Sequence, residues 1–133
     1  VITNSMVQFM LVSRWGNQQL LTSNSIQTAS LWLGRDAPEA NSFTPGTNLE
    51  YGTLNWENSR QQFRYSYDPG SETLVREHLV NSVVQSTKTA ARYISNQGDV
   101  VFSSTGNLLT VSVTATRGDL TDTGMITLAM RAQ

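Results

Sequence analysis

The sequence predicts an α+β fold in which one long N-terminal α-helix packs on an antiparallel β-sheet. Two observations support this prediction. Apolar residues recur at helical spacing through the first third of the chain, and the remainder consists of short segments that alternate in polarity. A length of 133 residues suits a single domain, with a helical stalk over residues 1–36 and a β-rich globular part over residues 49–133.

The helix is predicted from residue 1 to about residue 35. Its apolar stripe comprises Val7, Leu11, Trp15, Ile26, Ala29 and Leu33. Gly16 and the polar cluster at 22–25 are poor helix formers, but no proline interrupts the pattern before Pro38. Because the residue before a proline is driven out of the α region, the helix should end there. The pattern is already apolar at Val1 with no capping turn before it, so we expect the chain to derive from a truncated or processed precursor.

The strands are predicted from alternating polarity and turn residues. The predicted strands are 49–56, 62–67, 73–77, 80–87, 99–103, 108–116 and 125–130. Residues 41–48 and 117–123 are predicted loops, and 89–94 is either a short strand or a single helical turn. Gly70 is expected to take a positive φ in the turn at 68–71. In the strand 108–116, Val111 and Val113 should face the core, whereas Ser112 should face solvent.

Composition excludes several classes of function. The absence of cysteine excludes disulfides, thiolate catalysis and cysteine-based zinc sites. A net charge of -1 gives no overall field that would attract nucleic acid, and the basic residues of the β-rich part are scattered: Arg60, Arg64, Lys88 and Arg92. No apolar stretch is long enough to span a membrane, because the longest, at 6–12, is interrupted by Gln8.

His78 is the only histidine, so a hydrolytic triad or a histidine zinc site would have to be built around it. Glu77 is adjacent, but the sequence contains no nucleophile motif that would complete such a site. We therefore predict a hydrogen-bonded or solvated histidine near a strand end, and no catalytic residues. A hydrolase remains the third alternative for function.

A calcium site is the one cofactor for which the sequence offers candidates. Asp119 and Asp122 lie among threonines and glycines over residues 118–124, and clusters of oxygen ligands of this kind can hold Ca²⁺. The spacing fits no EF-hand, and a tight surface turn uses the same residue types. No other cofactor or metal is indicated.

Aromatic residues offer a possible stacking platform for sugars or single-stranded nucleic acid. The candidates are Trp15, Trp32, Tyr51, Trp56, Tyr65 and Tyr67. Packing of these rings within the fold is the simpler interpretation, because Trp15 and Trp32 lie among other apolar residues of the predicted helix.

The N-terminal part of the predicted helix should bind another chain. Between Val1 and Leu21 the only charged side chain is Arg14. An apolar helix that extends past its own domain needs a second chain to cover it. The predicted partner-binding residues are Met6, Phe9, Met10 and Leu11.

Three stretches resemble the minor pilins and minor pseudopilins of type IV pili and type II secretion systems, especially the large W- or J-like subunits. Residues 25–40 (SIQTASLWLGRDAPEA) resemble the end of the family's long helix. Residues 63–77 (FRYSYDPGSETLVRE) resemble its central hairpin, and 91–96 with 106–116 resemble its closing strands. The resemblance covers nearly the whole chain, although the family's leader and its Phe-Thr-Leu-x-Glu motif are absent.

The resemblance implies a non-catalytic structural subunit with a pilin-like fold. Such a subunit is anchored in the bacterial inner membrane by a preceding hydrophobic half-helix and then joins a periplasmic or extracellular filament. It assembles with other pilin subunits, either priming the filament or lying at its tip. Adhesion, motility, DNA uptake and protein secretion all stay open. The alternative from a different class is a secreted β-rich module that binds glycans or cell surfaces.

Overall fold

The computed structural model describes residues 7–12 and 19–131, and it describes side chains from Asn24 onward with the exception of Asn58. In this part of the chain it contains one α-helix and nine β-strands, with two short 3₁₀ turns at Glu57–Ser59 and Gln97–Asp99. The helix is α1 (Gln19–Asp36). The strands are β1 (Val7–Val12), β2 (Ser42–Pro45), β3 (Glu50–Trp56), β4 (Gln61–Asp68), β5 (Thr73–Val80), β6 (Val83–Ala91), β7 (Val100–Thr105), β8 (Leu108–Arg117) and β9 (Leu120–Ala129).

The strands form two antiparallel sheets. The first has the order β1-β9-β8-β7, and the second has the order β2-β3-β4-β5-β6. In the second sheet each strand pairs with its successor in the chain, because short turns connect them all. In the first sheet only β1 comes from a distant part of the chain, and it lies along the edge of β9.

The core lies where α1 meets both sheets. The helix contacts β8 and β9 of the first sheet and β6 of the second. Its residues Ile26, Ala29 and Leu33 are fully buried, as their spacing predicts. Val111 and Val113 of β8 are also fully buried, so the predicted register of this strand is confirmed.

An aromatic cluster joins the two sheets directly. Phe102 of β7 stacks on Phe43 of β2 with ring centroids 5.7 Å apart and nearly parallel planes. Tyr51 and Tyr65 of the second sheet lie 5.6 and 5.5 Å from the same ring. Offset contacts of this kind contribute about 0.5–1.5 kcal/mol each beyond area burial. Phe102 therefore links three strands of the opposite sheet.

The predicted α+β fold with one long N-terminal helix is wrong. The described chain is mostly β, residues 7–12 form a strand, and α1 begins only at Gln19. The physical reason lies in the segment 7–12, where Gln8 is the only polar residue and the β-branched and aromatic residues favour strands. A short apolar run satisfies both helical and strand periods, so pairing with β9 decides its structure.

Smaller predictions also need correction. The predicted loop at 41–48 contains β2, and the predicted loop at 117–123 is reduced to the turn at Gly118 and Asp119 because β9 begins at Leu120. Between β4 and β5, Glu72 and not Gly70 has the positive φ. The ambiguous segment 89–94 is divided, with 89–91 completing β6. The helix ends at Asp36, close to the predicted residue.

Candidate functional site

A buried ion pair fixes the C-terminal end of α1 to the second sheet. Arg76 of β5 donates through Nε and a terminal nitrogen to the two carboxylate oxygens of Asp36, at 2.6 and 2.7 Å. Tyr65 donates its hydroxyl to the same carboxylate at 2.6 Å. The indole N–H of Trp56 donates to the backbone carbonyl of Asp36 at 2.8 Å. Asp36 therefore binds three strand residues at once.

Aromatic rings enclose the cation of this pair. The Arg76 guanidinium lies 4.3 Å from the ring centre of Trp32 and 4.6 Å from that of Phe63. Burial lowers the pKa of Arg76, but the hydrogen bond and charge of Asp36 outweigh this effect and leave the pKa raised. Burial, followed by the charge of Asp36, raises the pKa of Tyr65 well above its ordinary value.

This cluster is suited to holding the fold together and not to catalysis. A carboxylate at a helix C-terminus is disfavoured by the helix dipole, so Asp36 needs the cation that Arg76 supplies. Both carboxylate oxygens are already hydrogen-bonded, and Asp36 and Arg76 are almost completely buried. This pair was not predicted from the sequence. Arg76 lies opposite the buried Tyr65 of β4, but the residues of β5 do not alternate in polarity and therefore do not indicate which of them face inward.

His78 lies within β5 and takes part in packing. Its ring stacks on Phe63 at 4.8 Å with nearly parallel planes, and Nε2 is hydrogen-bonded to the side-chain oxygen of Gln61 at 2.7 Å. The neighbouring Glu77 instead binds Arg64, at 2.8 Å. The structure therefore does not join His78 and Glu77 into one site, and the histidine has the hydrogen-bonded role that the sequence analysis predicted.

The calcium candidates are separated by the start of β9. Asp119 is exposed in the turn between β8 and β9, whereas Asp122 lies within β9 and is buried. Within the described ranges, no three His, Asp or Glu side chains are grouped so that they could hold a metal ion. The sequence had suggested that the two carboxylates lie together in one exposed loop, and the structure shows that they do not.

The predicted partner-binding residues do not form a helical face. Phe9, Met10 and Leu11 lie in β1, opposite Ile126, Met125 and Gly124 of β9. Met6 lies outside the described residues. The physical reason is the one that makes this segment a strand: it pairs with β9, and its β-branched and aromatic residues favour strands.

The outward face of α1 is the exposed surface of the helix. Asn24, Gln27, Leu31 and Arg35 are all exposed and follow each other at three- and four-residue spacing. Leu31 is 69% exposed, the largest value among the described exposed apolar residues. Only Arg35, in the last turn, adds a charge to this face. A surface formed by Asn24, Gln27, Thr28 and Leu31 is therefore neutral, with one prominent apolar side chain.

The outer face of the first sheet carries no charge on β7, β8 and β9. Its strand positions are occupied by Val101, Ser103, Thr105, Leu108, Thr110, Ser112, Thr114, Thr116, Thr121, Thr123, Met125, Thr127 and Ala129. Threonines lie opposite one another across β8 and β9, with hydroxyl oxygens 3.1 Å apart for Thr114 and Thr123 and 3.3 Å apart for Thr116 and Thr121. We call this surface the threonine face.

A polar cavity of about 500 Å³ lies at one end of the second sheet. The turn after β3 and the turn after β5 form its rim, and the backbone N–H of Asn81 donates to the carbonyl of Arg60 at 3.1 Å. The lining residues are Asn55, Trp56, Glu57, Arg60, Gln61, Gln62, Asn81 and Ser82. This cavity was not predicted from the sequence, because its lining comes from β3, β4 and the turns after β3 and β5, which meet only in the folded chain.

Most of the aromatic residues that were candidates for a stacking platform pack inside the fold. Tyr65 and Tyr67 are buried, and Trp32 and Trp56 pack against Arg76 and Phe63. Trp15 lies outside the described residues. Of the basic residues considered for nucleic-acid binding, Arg64 forms an ion pair with Glu77. No helix within residues 19–131 is both long enough and apolar enough to cross a membrane.

Comparison of the chain with protein-family models, with curated proteins and with solved structures gave no match. The function must therefore be argued from the surfaces described above and from the resemblance in sequence.

Proposed function

We propose that the chain is a non-catalytic structural subunit of the minor pilin or minor pseudopilin type, which assembles with related subunits in a filament. The observation that carries the proposal is the outward face of α1, where Leu31 is 69% exposed on a helix whose opposite face is fully buried. In a filament subunit, that face is available for contact with the next chain. We propose the region around Leu31 as a partner contact in addition to Phe9, Met10 and Leu11, which stay a prediction from the sequence.

The three stretches that resemble the family contribute to the framework of the fold. Residues 25–40 contain the second half of α1, residues 63–77 contain most of the β4–β5 hairpin, and residues 106–116 contain most of β8. Residues 91–96 lie in the connection between β6 and the 3₁₀ turn at Gln97–Asp99, except for Ala91 at the end of β6. A sequence resemblance confined to exposed loops would carry less weight, because loops vary more readily than framework. This placement supports a shared role for the three stretches in building the domain.

The use of ionisable groups favours a structural role. The buried pair of Asp36 and Arg76 fixes α1, and the half-buried pair of Arg64 and Glu77 bridges β4 and β5. His78 packs on Phe63 and binds Gln61. Catalysis requires a nucleophile, a base and an orienting group in one accessible place, and these residues are engaged in holding strands and helix together.

The experiment replaces Leu31 with lysine in the producing cell and measures sheared filaments by immunoblot. We expect loss of filament assembly, because a charge at the centre of a subunit contact must be desolvated. The purified variant should melt like the parent chain, since exposed substitutions usually change stability by less than about 0.5 kcal/mol.

The matched control is Val83→Lys, at an apolar β6 residue that is 60% exposed. It should leave assembly unchanged. A photo-crosslinking residue at position 31 should in addition capture subunits of the same filament. Normal assembly of the Leu31→Lys protein, with no filament subunit captured at position 31, would contradict the proposal.

A further inference from the structure

The cavity at the end of the second sheet has the composition of a site for a neutral, hydroxyl-rich ligand. Four of its lining side chains are amides: Asn55, Gln61, Gln62 and Asn81. An amide offers a hydrogen-bond donor and an acceptor on neighbouring atoms, which matches adjacent hydroxyl groups that also donate and accept. The volume of about 500 Å³ lies within the range of about 300–1,000 Å³ that is usual for small-molecule sites.

The charges of the lining favour a neutral ligand. Glu57 and Arg60 are the only ionisable residues in the lining, and their formal charges cancel. Both are exposed, so each retains its solvation in the unbound protein. An anion or a cation would be attracted by one of these side chains and repelled by the other. A ligand without net charge can instead hydrogen-bond to both.

Neighbouring residues hold the amides in place before any ligand binds. Asn55 donates to the hydroxyls of Ser42 and Thr44 at 3.1 and 3.0 Å. Gln62 donates to the side-chain oxygen of Asn55 at 3.0 Å. On the other side, Gln61 donates to Ser59 and is hydrogen-bonded to His78. Side chains fixed in this way lose less conformational entropy on binding, which favours affinity.

The rim concentrates unusual backbone conformations. Arg60, Asn81 and Ser82 have φ values of 57°, 52° and 68°, in the left-handed region that costs most residues other than glycine energy. These three are half of the six described non-glycine residues with positive φ. Asn81 and Ser82 form the two-residue turn between β5 and β6, which requires a positive φ at both positions. Arg60 ends the 3₁₀ turn at Glu57–Ser59 in the left-handed conformation. The hydrogen bond from the N–H of Asn81 to the carbonyl of Arg60 joins these two turns at the rim.

We infer that this cavity binds a neutral saccharide, with Gln61, Gln62, Asn81 and Arg60 contacting ring hydroxyls and Asn55 holding Gln62 in position. The inference does not depend on the filament proposal, because the outward face of α1 and the cavity have no residue in common. A filament subunit with such a site would bind a surface glycan, whereas a chain outside any filament would retain the same binding.

The test is a ¹H–¹⁵N NMR titration of the 133-residue chain with lactose, maltose, cellobiose and chitobiose at millimolar concentrations. Sialyllactose serves as the anionic comparison. We expect at least one neutral disaccharide to shift the amide signals of residues 55–62 and 81–82 in a saturable manner. Sialyllactose should bind at least about tenfold more weakly than the best neutral sugar, a difference of about 1.4 kcal/mol.

The decisive variant is Asn81→Gly. Glycine accepts the positive φ at this position without strain, so the variant keeps the turn while it removes the amide. We expect binding to weaken by about tenfold, the effect of losing a paired hydrogen-bond donor and acceptor. The matched control is Asn48→Gly, which changes the same residue type at a φ of 57° outside the cavity lining. It should leave binding unchanged.

Each result decides the inference. Saturable shifts at the cavity that Asn81→Gly weakens and Asn48→Gly leaves unchanged support it. The inference is overturned if none of the neutral sugars shifts these signals, if the two glycine variants behave alike, or if sialyllactose binds best. Filament assembly is measured separately with Leu31→Lys, so failure of one proposal is distinguishable from failure of the other.

Discussion

Arg76 is the residue on which the connection between helix and sheet depends. It neutralises Asp36 within an almost dry environment between the rings of Trp32 and Phe63. Removing one member of a buried ion pair leaves the other charge without compensation, which usually costs about 3–5 kcal/mol. We therefore expect Arg76→Met to lower the free energy of unfolding by about this amount, measured by urea denaturation.

The double variant Asp36→Leu with Arg76→Met should lose less free energy of unfolding than the two single variants lose when their losses are added. Replacing both charges by apolar groups removes the desolvation penalty together with the attraction. A coupling of at least about 1 kcal/mol is expected, because the two side chains are in direct contact. Strict additivity in the double-mutant cycle would mean that the pair is not coupled as the geometry indicates.

Single residues also show what the sequence could not supply. That the helix ends near Asp36 is predictable from Pro38. That Arg76 faces inward is not predictable, because Leu74-Val75 and Arg76-Glu77 do not alternate in polarity. Their pairing is not readable, because 40 positions separate them and several other charges were available. The same reason hid the cavity, which needs Arg60 and Asn81 from two separate turns.

At the level of elements, β8 is the strand that the sequence predicts best. Its alternation is unbroken, and its valines are buried while Ser112 lies on the threonine face. Val111→Asp would place an unpaired carboxylate in the core, and we expect it to unfold the domain. Ser112→Asp should change the melting temperature little. Equal melting temperatures for the two variants would be incompatible with the observed register.

The helix and β1 show where local apolar periodicity predicts secondary structure and where it does not. Ile26, Ala29 and Leu33 are spaced for one face, and α1 buries them as predicted. Residues 7–12 carry an equally apolar pattern, yet they pair with β9. A long-range partner decides between the two structures, and local periodicity contains no information about it. The β-hairpins were predictable because their partners are neighbours in the chain.

For the molecule as a whole, the free energy of unfolding should decrease at alkaline pH. Burial raises the pKa of Tyr65 well above 10, and burial together with the charges of Tyr67 and Asp99 raises that of Tyr51. Because the folded state holds these protons more tightly than the unfolded state, their stabilising effect is complete below about pH 10. It is lost as pH rises above that value, by up to about 1.4 kcal/mol per pH unit for each tyrosine.

Urea denaturation at a series of pH values from neutral to strongly alkaline measures this loss. Tyr51→Phe should reduce the alkaline slope by the share of one group, whereas its lost hydrogen bond to the carbonyl of Gln97 lowers stability equally at every pH. An unchanged slope in this variant would show that Tyr51 does not contribute to the alkaline loss.

The threonine face has a consequence for the environments that this surface tolerates. A threonine side chain presents a methyl group and a hydroxyl group, and neither of them ionises at the pH values at which proteins are folded. Dissolved ions screen attractions between charges but leave contacts among methyls and hydroxyls nearly untouched. The charge and polarity of the threonine face on β7, β8 and β9 therefore stay the same at low and at high salt, and at mildly acidic and at neutral pH.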